Sequence, residues 1–156
     1  LTGSWAGALG QPQFIPSSFL TYARDFDGDG RRDIWGTPAD VFASIANYLS
    51  KRGWERGGTW GVSASLSPGH DPEGAASGCR DLRDPGSYRH LSYWRNDGVK
   101  LEGSVRNAPA ALVRPDGPKG PSFLVFENFR ALLNYNCSTL YALTVGSLAD
   151  AIGDRD

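Results

Sequence analysis

The sequence predicts an α+β fold, mainly α: a helical body interrupted by a small β-containing insert. Three observations lead there. Helical signals cluster toward the two ends of the 156 residues. The stretch from Gly57 to about Pro121 is instead rich in Gly, Pro, Ser and Arg. The composition, 40 % hydrophobic and 21 % charged, belongs to a globular chain long enough for one domain with a core. A net charge of -1 supplies no basic field for nucleic acid or an anionic membrane. No apolar run approaches the roughly 18 residues of a membrane span. Without an initiator Met, and opening in mid-motif at Leu1, the chain reads as a trimmed piece of something longer.

The first element is SWAGALGQPQFIPSSF, Ser4 to Phe19, where Trp5, Phe14, Ile15 and Phe19 suit a core. Gly7, Gly10, Pro12 and Pro16 and the amides of Gln11 and Gln13 interrupt them, as in a backbone held against something large and polar. Ser17 and Ser18, after Pro16, are read as the cap of a short helix through Phe19, Leu20 and Tyr22 toward Asp25.

An acidic loop follows. In DFDGDGRRD, Asp25, Asp27 and Asp29 alternate and Gly30 takes the sixth place. Carboxylates so close repel one another without a cation, and this spacing folds them around one Ca²⁺, with the Arg31 carbonyl as the seventh-position oxygen. The loop departs from an EF-hand at position twelve, which is Gly36 rather than Glu; Asp40 is the replacement, with a capping role as its simpler use.

TPAD then opens a helix with Thr37 as N-cap and Pro38 at its first position. Val41, Ile45, Tyr48 and Leu49 form its apolar face, broadened by Phe42 and Ala46, and Gly53 ends it. Trp5, Trp35 and Trp54 are assigned to the core. The insert contains short segments such as TWGVSAS, YRHLSYW and AALVRP, without a core of its own; PDGPKGP, between ALVR and SFLVF, is a hairpin connection. Asn128 to Tyr135 reads as a short helix, and Ser138 caps a last one with Tyr141, Val145, Leu148 and Ile152 as its stripe, stopped by Gly153. Cys79 and Cys137 match no metal-ligand spacing, and a disulfide and two free thiols fit them equally. With only His70 and His90, a zinc site is not indicated.

Three motifs, SWAGALGQPQFIPSSF, DFDGDGRRDIWGTPADVFASIANYLSKRGW and PDGPKGPSFLVFENFRALLNYNCSTLYALTVGSLADAI, together resemble the membrane-bound lytic murein transglycosylase B family, glycoside hydrolase family 103. The likeness holds in order along nearly the whole chain, apart from about Glu55 to Val113. It implies a lysozyme-like fold of which residues 1–156 are the C-terminal part. Residues 1–56 would hold the groove segment, calcium loop and helices, 57–121 the irregular insert, and 122–156 the returning helices.

The resemblance also implies a function: cleavage of the β-1,4 bond between N-acetylmuramic acid and N-acetylglucosamine in peptidoglycan. The muramic C6 hydroxyl attacks in place of water and leaves a 1,6-anhydro end, which departs from the two-carboxylate glycosidase scheme. By residue match, Ser4, Gln13, Tyr48, Tyr135, Asn136 and Tyr141 contact sugar. Their types suit it, since hydroxyls meet Ser, Gln and Asn while C–H faces meet aromatic rings. Read without the family, Tyr48 and Tyr141 pack a core, Ser4 caps, Asn136 turns the chain, and Gln13 has no simple structural use.

The single catalytic glutamate of the family lies upstream of the SWAGA segment, and only Leu1, Thr2 and Gly3 precede Ser4. Glu55, Glu73, Glu102 and Glu127 lack its context, so no catalytic residue is expected in this chain. Ca²⁺ in such a loop is expected to be structural, and the resemblance makes the partners glycan strands and the missing N-terminal part, in the periplasm or cell envelope. Any membrane attachment would be a lipid anchor outside these residues. The competing readings are a non-catalytic glycan-binding or scaffold module that keeps the groove, and a calcium-stabilised interaction domain.

Overall fold

The computed structural model describes residues 3–76 and 78–153. The chain divides into two compact units, Leu1–Arg52 and Gly53–Asp156.

The first unit begins with a tight, doubly bridged loop. Leu9 pairs antiparallel with both Gly3 and Phe14, and the Leu9 and Phe14 amides exchange hydrogen bonds at 2.7 and 3.0 Å. Gly10, at φ 63°, lies so close to Ile34 that a Cβ there would come within 2.5 Å of the Ile34 carbonyl oxygen. Only glycine permits that approach. Next to it, the Gln11 amide donates to the Ile34 carbonyl at 2.9 Å and its side chain to the Trp35 carbonyl at 2.8 Å. The polar, Gly-rich opening is thereby fastened to the turn that leaves the acidic loop.

Helix α1 spans Pro16–Tyr22, with Ile15 at the N-cap and Pro16 first. Ser17 and Ser18 therefore stand inside the first turn and do not cap it. Proline's fixed φ starts the helix one step earlier than a serine cap would. Helix α2, Pro38–Lys51, has Thr37 at its N-cap and Pro38 at its first position. Its buried face is Asp40, Val41, Ser44 and Tyr48, while Phe42 is 70 % exposed. Polar groups join α1 to α2: Ser44 Oγ accepts from the Arg24 amide at 2.9 Å, and Asn47 Nδ2 donates to the Tyr22 carbonyl at 2.8 Å. A buried hydroxyl with its partner in place costs little, which is why serine can take a core position. Phe14, Ala23, Ile34, Val41 and Tyr48 complete the interior.

The second unit is built on a four-stranded antiparallel sheet of order β2-β1-β4-β3. Its strands are β1 Gly61–Ser65, β2 Lys100–Leu101, β3 Ala111–Val113 and β4 Ser122–Val125. PDGPKGP connects β3 to β4 as the hairpin its prolines and glycines predict, and Val113 faces Phe123 across it. YRHLSYW, by contrast, is mostly helical: α4 spans Leu91–Asn96, and its Leu91 and Trp94 are fully buried one turn apart. Trp94 Nε1 donates to the Ala110 carbonyl at 2.8 Å. Leu91, Trp94, Val99, Ala110 and Leu112 of the insert share one buried cluster with Leu124 of the returning segment. These residues are scattered singly through polar chain and meet only in three dimensions.

Helix α3, Cys79–Arg83, and the two last helices, α5 Glu127–Tyr135 and α6 Thr139–Gly153, complete this unit. Asn128, 1 % exposed at the start of α5, ties the chain after Arg52 to the sheet's end. It accepts from the Glu55 amide at 2.7 Å and donates to the Glu55 and Gly58 carbonyls at 3.0 and 2.7 Å. Ser138 Oγ accepts from the Tyr141 amide at 3.3 Å, which confirms it as the cap of α6. The buried stripe of α6 is Ala142, Leu143 and Gly146, whereas Leu148 and Ile152 are about 60 % exposed. Trp60 is the reason: its ring lies against Gly146, and its Nε1 donates to Asp150 Oδ2 at 2.8 Å. A large indole on the sheet side selects the small-residue face of the helix. Cys79 and Cys137 form a disulfide, with Cα atoms 5.4 Å apart.

Candidate functional site

The predicted sugar-contacting residues fall three to each unit. In the first, Gln13 stands out by its backbone: its φ of 52° makes it the one non-glycine residue with positive φ among those described. That conformation carries strain for an L side chain and survives where surrounding structure imposes it, often at working sites. The loop imposes it through the Gln13 amide on the Gly10 carbonyl at 3.2 Å and the side-chain Nε2 on the same oxygen at 2.8 Å. Gln13 is exposed, flanked by buried Pro12 and Phe14, so its amide sits at the surface of a rigid frame.

Ser4 is exposed and closes its own turn, Oγ accepting from the Ala8 amide at 3.1 Å. Tyr48 is 7 % exposed. Its ring meets Tyr22 edge-on at 4.6 Å and Phe14 at 5.7 Å, with the Arg52 guanidinium 5.4 Å above it. Its aromatic body belongs to the interior. Trp5, assigned to the core on sequence, is 100 % exposed. It lies inside the tight Ser4–Gly7 turn, where no neighbouring element covers it. An aromatic face beside Ser4 is a feature the sequence reading missed, and the indole within a Gly-rich polar segment was the signal for it.

In the second unit, the turn between α5 and α6 brings Tyr135, Asn136 and Tyr141 together. The Tyr135 and Tyr141 rings lie 6.5 Å apart and nearly parallel, at 12°. Asn136 is exposed between them in sequence, its amide donating to the Leu132 carbonyl at 3.1 Å and so closing α5. Half-burial raises the Tyr141 phenol above its ordinary value, so it stays protonated and able to donate at neutral pH. Two parallel rings beside an exposed carboxamide suit a ligand with C–H faces and hydroxyls.

Glu127 pairs with Arg130 one turn along α5. It also lines a cleft of about 510 Å³ with Glu55, Val62, Phe126 and Asn128.

The acidic loop gathers Asp25, Asp27 and Asp29, whose oxygens lie within 4.8 Å of one another. Inward-turned backbone amides hold them. Asp25 accepts from Gly28 and Gly30 at 2.7 and 2.9 Å, Asp27 from Asp29 at 3.2 Å, and Asp29 from Arg31 at 2.7 Å. These three fit a hard cation that wants oxygen ligands. Asp40 stands outside the cluster, against the sequence expectation. It is 1 % exposed, and its two oxygens accept from the Phe26 and Asp33 amides at 2.7 and 2.8 Å. Each oxygen takes one amide of the loop's own backbone, so Asp40 braces the loop from beneath and makes no capping box. The amides of Gly36 and Trp35 hold the Asp33 carboxyl below its usual value.

The family model described as the transglycosylase SLT domain matches residues 1–150. The chain belongs to that family. It is 35 % identical to membrane-bound lytic murein transglycosylase B of Escherichia coli over 97 % of its length and 40 % of that protein. Among solved structures, SltB3 from Pseudomonas aeruginosa, in complex with NAG-anhNAM-pentapeptide, superposes with a TM-score of 0.81 at 46 % identity. The match covers 97 % of this chain and 40 % of that one. Escherichia coli Slt35 in complex with calcium gives a TM-score of 0.79 at 33 % identity, over 98 % of this chain and 46 % of that one. The chain thus spans two fifths to about half the length of these relatives. Among the described residues no helix is long and apolar enough to cross a membrane.

Proposed function

We propose that this chain is the glycan-holding part of a peptidoglycan lytic transglycosylase of the cell envelope. The observation that carries the reading is the turn after α5, where Tyr135, Asn136 and Tyr141 gather as rings and carboxamide at one surface. The strained, exposed Gln13 supports it from the first unit. Ser4 and Tyr48 are weaker contributors, one through its hydroxyl and the other through the phenolic end of a buried ring.

The substrate is the glycan strand, cleaved between N-acetylmuramic acid and N-acetylglucosamine with a 1,6-anhydro end. The protonation of the leaving oxygen needs a carboxylic acid within hydrogen-bond reach. Among the four glutamates, Glu127 is engaged with Arg130, and all four lack the sequence context that carries the acid in the resembled family. The acid is therefore assigned to the parent protein outside residues 1–156. The tyrosines and amides orient the sugar; they do not move the proton.

Ca²⁺ is assigned to the first unit through Asp25, Asp27, Asp29 and the Arg31 carbonyl, a role that the calcium-bound Slt35 structure supports. Bound there, it would neutralise three crowded carboxylates and stiffen the loop whose exit holds Gln11. It takes no part in the bond cleavage.

The test is muropeptide mass spectrometry of digested cell wall. The 156-residue chain alone should release no anhydro-muropeptide, and the parent protein should release it. In the parent, Tyr135→Phe and Gln13→Ala should lower turnover about tenfold or more while leaving the fold intact. Unchanged turnover in both variants would remove the glycan-holding role. Anhydro products from the isolated chain would move the acid back into it, with Glu127 first in line. A parent that binds glycan without cleaving it would establish the scaffold reading.

A further inference from the structure

Beside the sugar-facing turn lies a recess of about 450 Å³ lined by Arg80, Arg83, Asp84, Arg130 and Asn134. Three arginines line it in a chain whose net charge is -1. Arg80 and Arg83 stand one turn apart on α3, both exposed, and neither has an ion pair among the described residues. Arg130 shares its charge with Glu127, and Asp84 is turned to its own chain, accepting from the Gly86 amide at 2.9 Å.

We infer that this recess binds the carboxylates of the peptide stem carried by the glycan's muramic acid, an inference that rests on the glycan reading above. Guanidinium groups take carboxylates in a paired, planar fashion. Guanidiniums arriving from two helices across about 450 Å³ span more room than a single phosphate fills, and suit a flexible ligand with several carboxylates. Asn134 also lines the recess. It stands one residue before Tyr135, the last of α5, and two before Asn136, so the recess reaches the same end of the helix as the sugar-facing turn, within range of a long substituent on the sugar. The Cys79–Cys137 disulfide holds this arrangement together. It joins the first residue of α3 to the residue after Asn136, and so keeps Arg80 beside the turn that carries the sugar-facing groups.

Isothermal titration of the 156-residue chain tests the inference with five probes: the free stem pentapeptide acid, its fully amidated form, the disaccharide, the disaccharide bearing the pentapeptide, and inorganic phosphate. The acid should bind and the amide should not. The peptide should tighten disaccharide binding about tenfold, as charge-assisted hydrogen bonds do. In the Arg80→Ala/Arg83→Ala double variant that ratio should fall to about one, with the thermal transition unchanged because both side chains are exposed.

Equal binding of acid and amide, or a ratio that survives in the variant, overturns the proposal. Inorganic phosphate that binds as tightly as the peptide acid also overturns it, leaving a generic anion site. Failure of the glycan reading looks different: the free peptide acid binds through the arginines while the peptide-free disaccharide does not bind at all.

Discussion

At the scale of single residues, the chain spends conformational strain and burial where chemistry or precision is wanted. Gln13 could relax as glycine, which visits positive φ at no steric cost. Gln13→Gly should therefore keep its stability within about 1 kcal/mol of the parent chain, strain relief offsetting unfolded-state entropy and the lost bond to Gly10. Glycan affinity should nevertheless fall. Calorimetry and titration of the same variant separate the two: a large loss of stability would make Gln13 a structural residue. Tyr88 illustrates a different cost. Its hydroxyl donates to the Leu82 carbonyl at 3.0 Å. Burial first, then the nearby Glu127 carboxylate, push its proton release well above the ordinary tyrosine range, Arg130 only partly opposing them. An unfolded tyrosine ionises near pH 10. The folded one still holds its proton there, so its contribution is complete below about pH 10 and is lost as pH rises toward the folded value. Melting temperature should fall steeply above pH 10, and Tyr88→Phe should flatten that alkaline limb while costing about 1 kcal/mol at neutral pH.

Among the elements, α6 is placed by what it lacks. Gly146 allows the helix to lie on Trp60, and a Cβ at that position would come within 2.4 Å of the indole. Trp60 is 7 % exposed and its Nε1 is held by Asp150, so it has little room to retreat. Gly146→Ala raises helix propensity yet should destabilise the protein by about 1–3 kcal/mol, since overpacking outweighs a propensity gain of about 1 kcal/mol. Chemical denaturation of the variant measures the sign directly. A stabilised variant would mean that the indole moves freely. The sheet shows the same dependence on partners: β2 is only two residues long, and its pairing with β1 at Ala64 and Ser65 gives it its only regular structure.

For the molecule as a whole, the acidic loop links local charge to global stability. Ligand that binds only the folded form adds RT ln(1 + [L]/Kd), about 2.7 kcal/mol at a hundredfold excess over Kd. Millimolar Ca²⁺ should raise the melting temperature of metal-free protein, and Asp27→Asn with Asp29→Asn should abolish the rise. Asp40→Asn should act otherwise. Its carboxylate braces the Phe26 and Asp33 amides, so that variant loses stability with Ca²⁺ absent as well as present. A melting temperature unmoved by Ca²⁺ would remove the metal from the account.

Much of this was legible in the chain because it is local. Thr37-Pro38 and Ser138 mark helix starts through neighbouring atoms, PDGPKGP turns a hairpin through its own dihedrals, and three aspartates at alternating positions converge without help from elsewhere. The ordered motifs from SWAGA to YNCSTLY carried the family for the same reason: they are contiguous text. What the sequence left open depends on partners far along the chain. The pairing of Cys79 with Cys137, the exposure of Trp5 and Phe42, and the burial of Ala142 and Gly146 in place of Leu148 and Ile152 follow from long-range packing. A helix stripe says which residues are apolar. Only the surface it meets, here one indole needing room, decides which of them go inside.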